Sequence, residues 1–215
     1  WIIYYSMKFT RSDTIARELR HHLPFTLVVS LLAGVLVALA FVFKLASNEF
    51  FLSGFEIIHP LHVLVSAAAT SAIYYKYKRS FVGAILIGVV GAILIGSISD
   101  VLLPWVGGNL FLLGTSFHLP ILESPLLILG IGVVGALVGI YVGMFKLTHS
   151  LHVFLSVFAS LFYLLAFSVS VSVWVVLVNS LVVFLVVYVP CCISDIVFPI
   201  LFIKTPCKDC GHWHD

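Results

Sequence analysis

His59-Pro60-Leu61-His62-Val63 occurs a second time, ninety positions further on, as His149-Ser150-Leu151-His152-Val153. The match continues, with Ser66 and Ala69 recurring as Ser156 and Ala159. A later element repeats too: Ile98-Ser99-Asp100-Val101-Leu102-Leu103-Pro104 is echoed by Ile193-Ser194-Asp195-Ile196-Val197-Phe198-Pro199. Shared Leu or Val in apolar stretches would carry little weight. Matched His pairs, Ser-Asp pairs and prolines carry much more, because ionisable residues are costly in lipid and are retained there for a purpose.

Composition sets the surroundings. The chain of 215 residues is 62% apolar and 9% charged, with a mean hydropathy of +1.21. A soluble domain carries roughly 25% charged residues, so this chain cannot clothe itself for water. The fold class expected is all-α, an integral membrane protein with most of its mass in the bilayer. Residues 1–23 are polar and basic and lack the short apolar core and small-residue cleavage site of a signal peptide.

Apolar runs long enough to cross a hydrocarbon core of roughly 30 Å fall at 24–44, 57–75, 80–104, 123–145, 150–171 and 174–203, the last interrupted by Pro190. Residues 8–22 read as a short surface helix, with Ser12 or Asp13 as its cap. Six spans place both termini on one side. Ten of the 11 basic residues then share that side and only Lys44 lies opposite, so the positive-inside rule makes both termini cytoplasmic.

The expected organisation is a cytoplasmic segment 1–23, a three-helix repeat 24–106, an extracytoplasmic linker 107–122, a second three-helix repeat 123–203, and a cytoplasmic tail 204–215. The ends of the first spans match as well, Val42-Phe43-Lys44-Leu45 against Met144-Phe145-Lys146-Leu147. Each repeat crosses an odd number of times, so the second lies upside down relative to the first. That is a recurring architecture of secondary transporters.

His residues three apart share one helix face, and neutral imidazole is the commonest side-chain metal ligand. His59 and His62 are expected at the outer depth of Asp100, and His149 and His152 at the inner depth of Asp195. His22-Leu23-Pro24 and His118-Leu119-Pro120 open the first span of each half, which would add His22 to the inner cluster and His118, with Glu123, to the outer one. Such histidines also occur as plain helix caps or head-group contacts, and for His22 and His118 that reading is the stronger. Two His/carboxylate clusters suit Zn, Fe, Co, Ni or Mn better than Mg or Ca.

Ser99 and Ser194 are placed to orient the carboxylates beside them. Ser66 and Ser156, one turn past the second His of each pair, are placed to act as donors or as small packing residues, the latter being the stronger reading. The glycines at 83, 88, 91, 96, 130, 132, 135, 139 and 143 read as packing residues that let spans approach. In the tail, Cys207, Cys210, His212 and His214 offer four metal ligands within eight residues, on a side where thiols stay reduced; the spacing is short for a folded zinc module, and a solvated tail is the stronger reading. Cys191 and Cys192 read as small buried hydrophobes.

These features point first to a transporter of divalent transition-metal ions, with no catalytic residue assigned. A second reading is a membrane-embedded metal-dependent hydrolase acting on a lipid or isoprenoid phosphate, of which Thr148-His149-Ser150 is a faint echo. A third is a haem-bearing electron carrier, against which i, i+3 histidines cannot both bind one iron axially. The partners expected are membrane lipid and a metal ion, with no nucleic acid; assembly into a homo-oligomer stays open.

Overall fold

The computed structural model describes residues 11–43, 47–143, 145–169, 180, 183, 184, 187, 190 and 197–202. Within α1 the side chains of 11–22, 25, 26, 40 and 41, within α7 those of 145–150, and that of residue 200 lie outside that description. The elements are α1 (Arg11–Val42), α2 (Asn48–Lys78), α3 (Phe81–Ser97), a π-helical turn (Ile98–Leu102), α4 (Leu103–Leu110), α5 (Pro120–Glu123), α6 (Pro125–Val142), α7 (Phe145–Phe167) and α8 (Phe198–Leu201). No strand occurs among the described residues.

Local chemistry fixes the helix ends. The Ser47 hydroxyl accepts from the Phe50 amide at 3.2 Å and caps α2. At its other end Arg79 takes a left-handed conformation (φ 48°) and its N–H bonds the Tyr75 carbonyl. Ser80 then caps α3 by accepting from the Gly83 amide at 3.3 Å. A joint of two residues leaves α3 no course but back along α2.

Helix α2 is the hub. Along α3 its neighbours run backwards, from Gly96 beside His62 and Val63 to Gly83 beside Tyr74, so the pair is antiparallel. Along α6 they run forwards, Gly135 against the Leu64 carbonyl and Gly139 against that of Ala68, so this pair is parallel. A Cβ at Gly139 would collide with the Ala68 backbone; glycine sets this approach. The Ser71 hydroxyl reinforces it by donating to the Ala136 carbonyl at 2.9 Å. Helix α7 is antiparallel to α2: Phe51 meets Phe162, Phe55 meets Tyr163 and His62 meets His152.

Three helices are long and apolar enough to cross a membrane: Asn48–Lys78, Phe81–Leu110 (α3 continued through the π turn and α4) and Pro125–Val142. Shorter apolar stretches occupy Leu27–Leu39 and Leu151–Phe167. Outward faces carry exposed Leu31, Leu32, Val35, Leu86, Val90 and Leu126, a surface suited to lipid rather than water. These are the helices of a membrane protein.

Boundaries differ most from expectation at the first two helices. No separate surface helix is formed at its C-terminal side: α1 runs unbroken from Arg11 through Pro24. Within apolar surroundings, neighbouring groups can re-satisfy the backbone a proline frees. Helix α2 starts at Asn48, nine residues before the apolar run begins at Ile57. Most of the expected sixth span, 174–203, lies outside the described residues.

Candidate metal centre

Pro104 has no N–H to give the carbonyl four residues back, and its ring presses on that carbonyl. The residue four back is Asp100. There the helix widens into the π turn, closed by the Leu103 N–H to the Ile98 carbonyl. Wide turns of this kind recur where a side chain must be re-aimed, and here Ser99, Asp100 and Val101 are all buried.

The Asp100 carboxylate points at α2. Its Oδ2 lies 2.9 Å from His59 Nδ1 and 2.5 Å from His62 Nδ1. All three residues are 0–1% exposed. Its Oδ1 accepts from the Ser99 hydroxyl at 2.8 Å and from the Ser156 hydroxyl, on α7, at 2.9 Å. Ser160, one turn further along α7, donates to the Ser99 carbonyl at 3.1 Å. Both oxygens of one carboxylate are thus filled from α2, from its own turn and from α7. A buried carboxylate needs that many partners.

His59, His62 and Asp100 each offer a ligand atom, and these atoms lie within 4.8 Å of one another. The group can hold a metal ion. As they stand, the Nδ1···Oδ2 separations are hydrogen-bond lengths. Neighbouring ligands on a tetrahedral ion with bonds of 2.0–2.1 Å sit roughly 3.3 Å apart, so an ion between these inward atoms would have to spread them.

His62 also meets α7. The His62 and His152 rings are 4.5 Å apart, centroid to centroid, with an interplanar angle of 34°, and His152 is buried. His62 Nε2 is buried with no hydrogen-bond partner. An orphaned polar atom of this kind costs about 1–3 kcal/mol. It is also a free lone pair whenever Nδ1 carries the proton.

The sequence expectation put His152 at the opposite depth from His59 and His62. The antiparallel packing of α2 on α7 instead sets the His152 ring against His62; Asp195 and the side chains of His149 and His22, the rest of the expected inner cluster, lie outside the described residues. His118 does not join His59 and His62. Its Nδ1 pairs with Glu123 Oε1 at 2.7 Å, nearer the surface, with Glu123 53% exposed. Its ring stacks on Phe167 at 4.6 Å, and Phe55 separates it from His59. The Tyr163 hydroxyl holds this corner by accepting from the His118 amide and donating to the Ser116 carbonyl.

Asp195, Ser194, Cys207, Cys210, His212 and His214 lie outside the described residues, and the side chains of His22 and His149 do as well. Ser160 is a contributor that sequence reading did not assign, and Ser156 is one that it read as packing in preference to donor. The signal was present in part, since Ser156 is a repeat mate of Ser66, but its partner on another helix was not. Compared with known proteins, the chain matches no family model, no curated protein and no solved structure. What fold and geometry define together is a helical membrane protein with a buried His-His-Asp group fit for a metal ion.

Proposed function

We propose that the protein carries divalent transition-metal ions across the membrane, with the ion passing through the centre at His59, His62 and Asp100. The observation that carries this reading is the place of that centre. A charged, imidazole-rich group is sealed among apolar helices and satisfied from both halves of the chain, Asp100 by His59 and His62 on one side and by Ser156 on the other. Ionisable groups at such depth mark ion pathways. Imidazole with carboxylate suits Zn, Fe, Co, Ni or Mn, and a binding step that requires neutral imidazole releases protons, which offers a route to coupling.

The proposed architecture is six spans in two inverted three-helix repeats, with both termini cytoplasmic. The antiparallel crossing of α2 on α7, the matching helices of the two halves, supports it. Movement of one half against the other would open the centre to alternate sides. The deciding experiment is uptake of zinc, cobalt or manganese into proteoliposomes holding the purified full chain. Metal-dependent flux that His62→Ala abolishes is expected. Tight metal binding without flux would sink transport and turn attention to the hydrolase reading, for which hydrolysis of a lipid phosphate is the corresponding assay.

A further inference from the structure

The inward triad is not the only way these residues can hold an ion, and two features favour another. The first is the orphaned Nε2 of His62, buried and without a partner. The second is the His152 ring, 4.5 Å away across the α2–α7 seam. Two imidazoles bound to one tetrahedral ion bring their ring centres roughly 5 Å apart, close to the separation already present. The Nδ1 side of His62 is meanwhile taken by Asp100 at hydrogen-bond length. A carboxylate on one imidazole nitrogen and a metal on the other is a recurrent arrangement, in which the carboxylate fixes the tautomer and raises the basicity of the ligating nitrogen.

The repeat adds an independent reason. His62 and His152 are corresponding residues of the two sequence copies. Where two copies of a helix cross antiparallel about a two-fold axis, the only residue that meets its own counterpart is the one on the axis. The His62–His152 contact is that meeting, so a ligand bound between them sits where the two halves join.

We propose that the metal is bound on this seam by His62 Nε2 and His152, with Asp100 outside the coordination sphere as the positioning residue that holds the Nδ1 proton of His62. This deepens the transport reading and rests on it for the metal class. The ion would then clamp α2 to α7, and separating the helices would release it.

The test uses the full chain with nitrogen-15-labelled histidine, loaded with cadmium-113 as the probe. Expected are cadmium–nitrogen couplings at Nε2 of His62 and at a nitrogen of His152, with the Nδ1 proton of His62 retained. His152→Gln should remove one coupled histidine and weaken binding at least about 10–100-fold, the range that loss of an outer partner alone produces. His152→Asp, which keeps a ligand atom, should recover much of that loss. Couplings at Nδ1 of His59 and His62, or no cadmium binding by the wild type, would overturn the proposal, and so would His152→Gln binding as wild type does. Where the variants do not fold, the wild-type couplings decide. Couplings as expected without flux in proteoliposomes would instead remove the transport reading alone.

Discussion

Asp100 serves four donors with two oxygens: His59 and His62 on Oδ2, Ser99 and Ser156 on Oδ1. Asp100→Asn keeps the shape but turns one acceptor into a donor, which then faces an N–H or an O–H. Metal affinity should fall about 10–100-fold, as loss of a carboxylate that orients a ligating histidine does, measured by calorimetric titration of the purified protein. Ser156→Ala removes one donor to a charged acceptor and should cost about 1.5–3 kcal/mol, read from thermal or denaturant unfolding. A loss no larger than a few tenths would mean that the Ser156 bond is replaced by another. The chemistry of His59, His62 and Asp100 was legible from residue type and spacing. The role of Ser156 was not, because a serine one turn past a histidine looks like packing until the helix facing it is known.

At the scale of the helix, Pro104 and the π turn act as one device. Pro104→Ala restores an N–H, which allows an ordinary bond to the Asp100 carbonyl and lets the turn close. Losing the extra residue of the wide turn rotates Asp100 about the helix axis, away from α2. The expected outcome is a protein as stable as wild type or more so, with metal binding reduced at least about 10-fold. Loss of both stability and binding would show instead that Pro104 matters for packing. Gly139→Ala tests the other contact of α2. Its methyl would run into the Ala68 backbone and the Ser71 hydroxyl, and overpacking of this kind costs about 1–3 kcal/mol, detectable as a lowered Tm. The apolar runs announced these helices, but not where α2 begins. Glu49 and Glu56 make its first turns too polar to read as part of a span, whereas the Ser47 cap and continuous hydrogen bonding carry the helix back to Asn48. The same limit hid the depth of His152: spacing fixes a residue's helix face, while depth depends on register against a neighbour.

For the molecule as a whole, the repeat makes a demand that a single buried site does not. If the halves are one unit inserted in opposite senses, Asp195 is to His149 and His152 what Asp100 is to His59 and His62, and Ser66 is to Asp195 what Ser156 is to Asp100. Two residues of unrelated position would then share a phenotype. Asp195→Asn should lower metal affinity by the same order as Asp100→Asn, about 10–100-fold, and Ser66→Ala should destabilise by the same 1.5–3 kcal/mol or so as Ser156→Ala. The double substitution of both Asp residues should exceed either alone, because each orients a different ligand of the ion on the seam, while residues in one network need not add simply. A chain lacking the flip makes the opposite forecast: Asp195→Asn would leave affinity untouched while Asp100→Asn abolishes it. Calorimetric titration of four proteins, wild type, the two single variants and the double, separates these outcomes. Cysteines placed before span one and after span six, labelled from either side of oriented vesicles, test the orientation independently: six crossings require both to react from the same face, and the distribution of Lys and Arg makes it the cytoplasmic one.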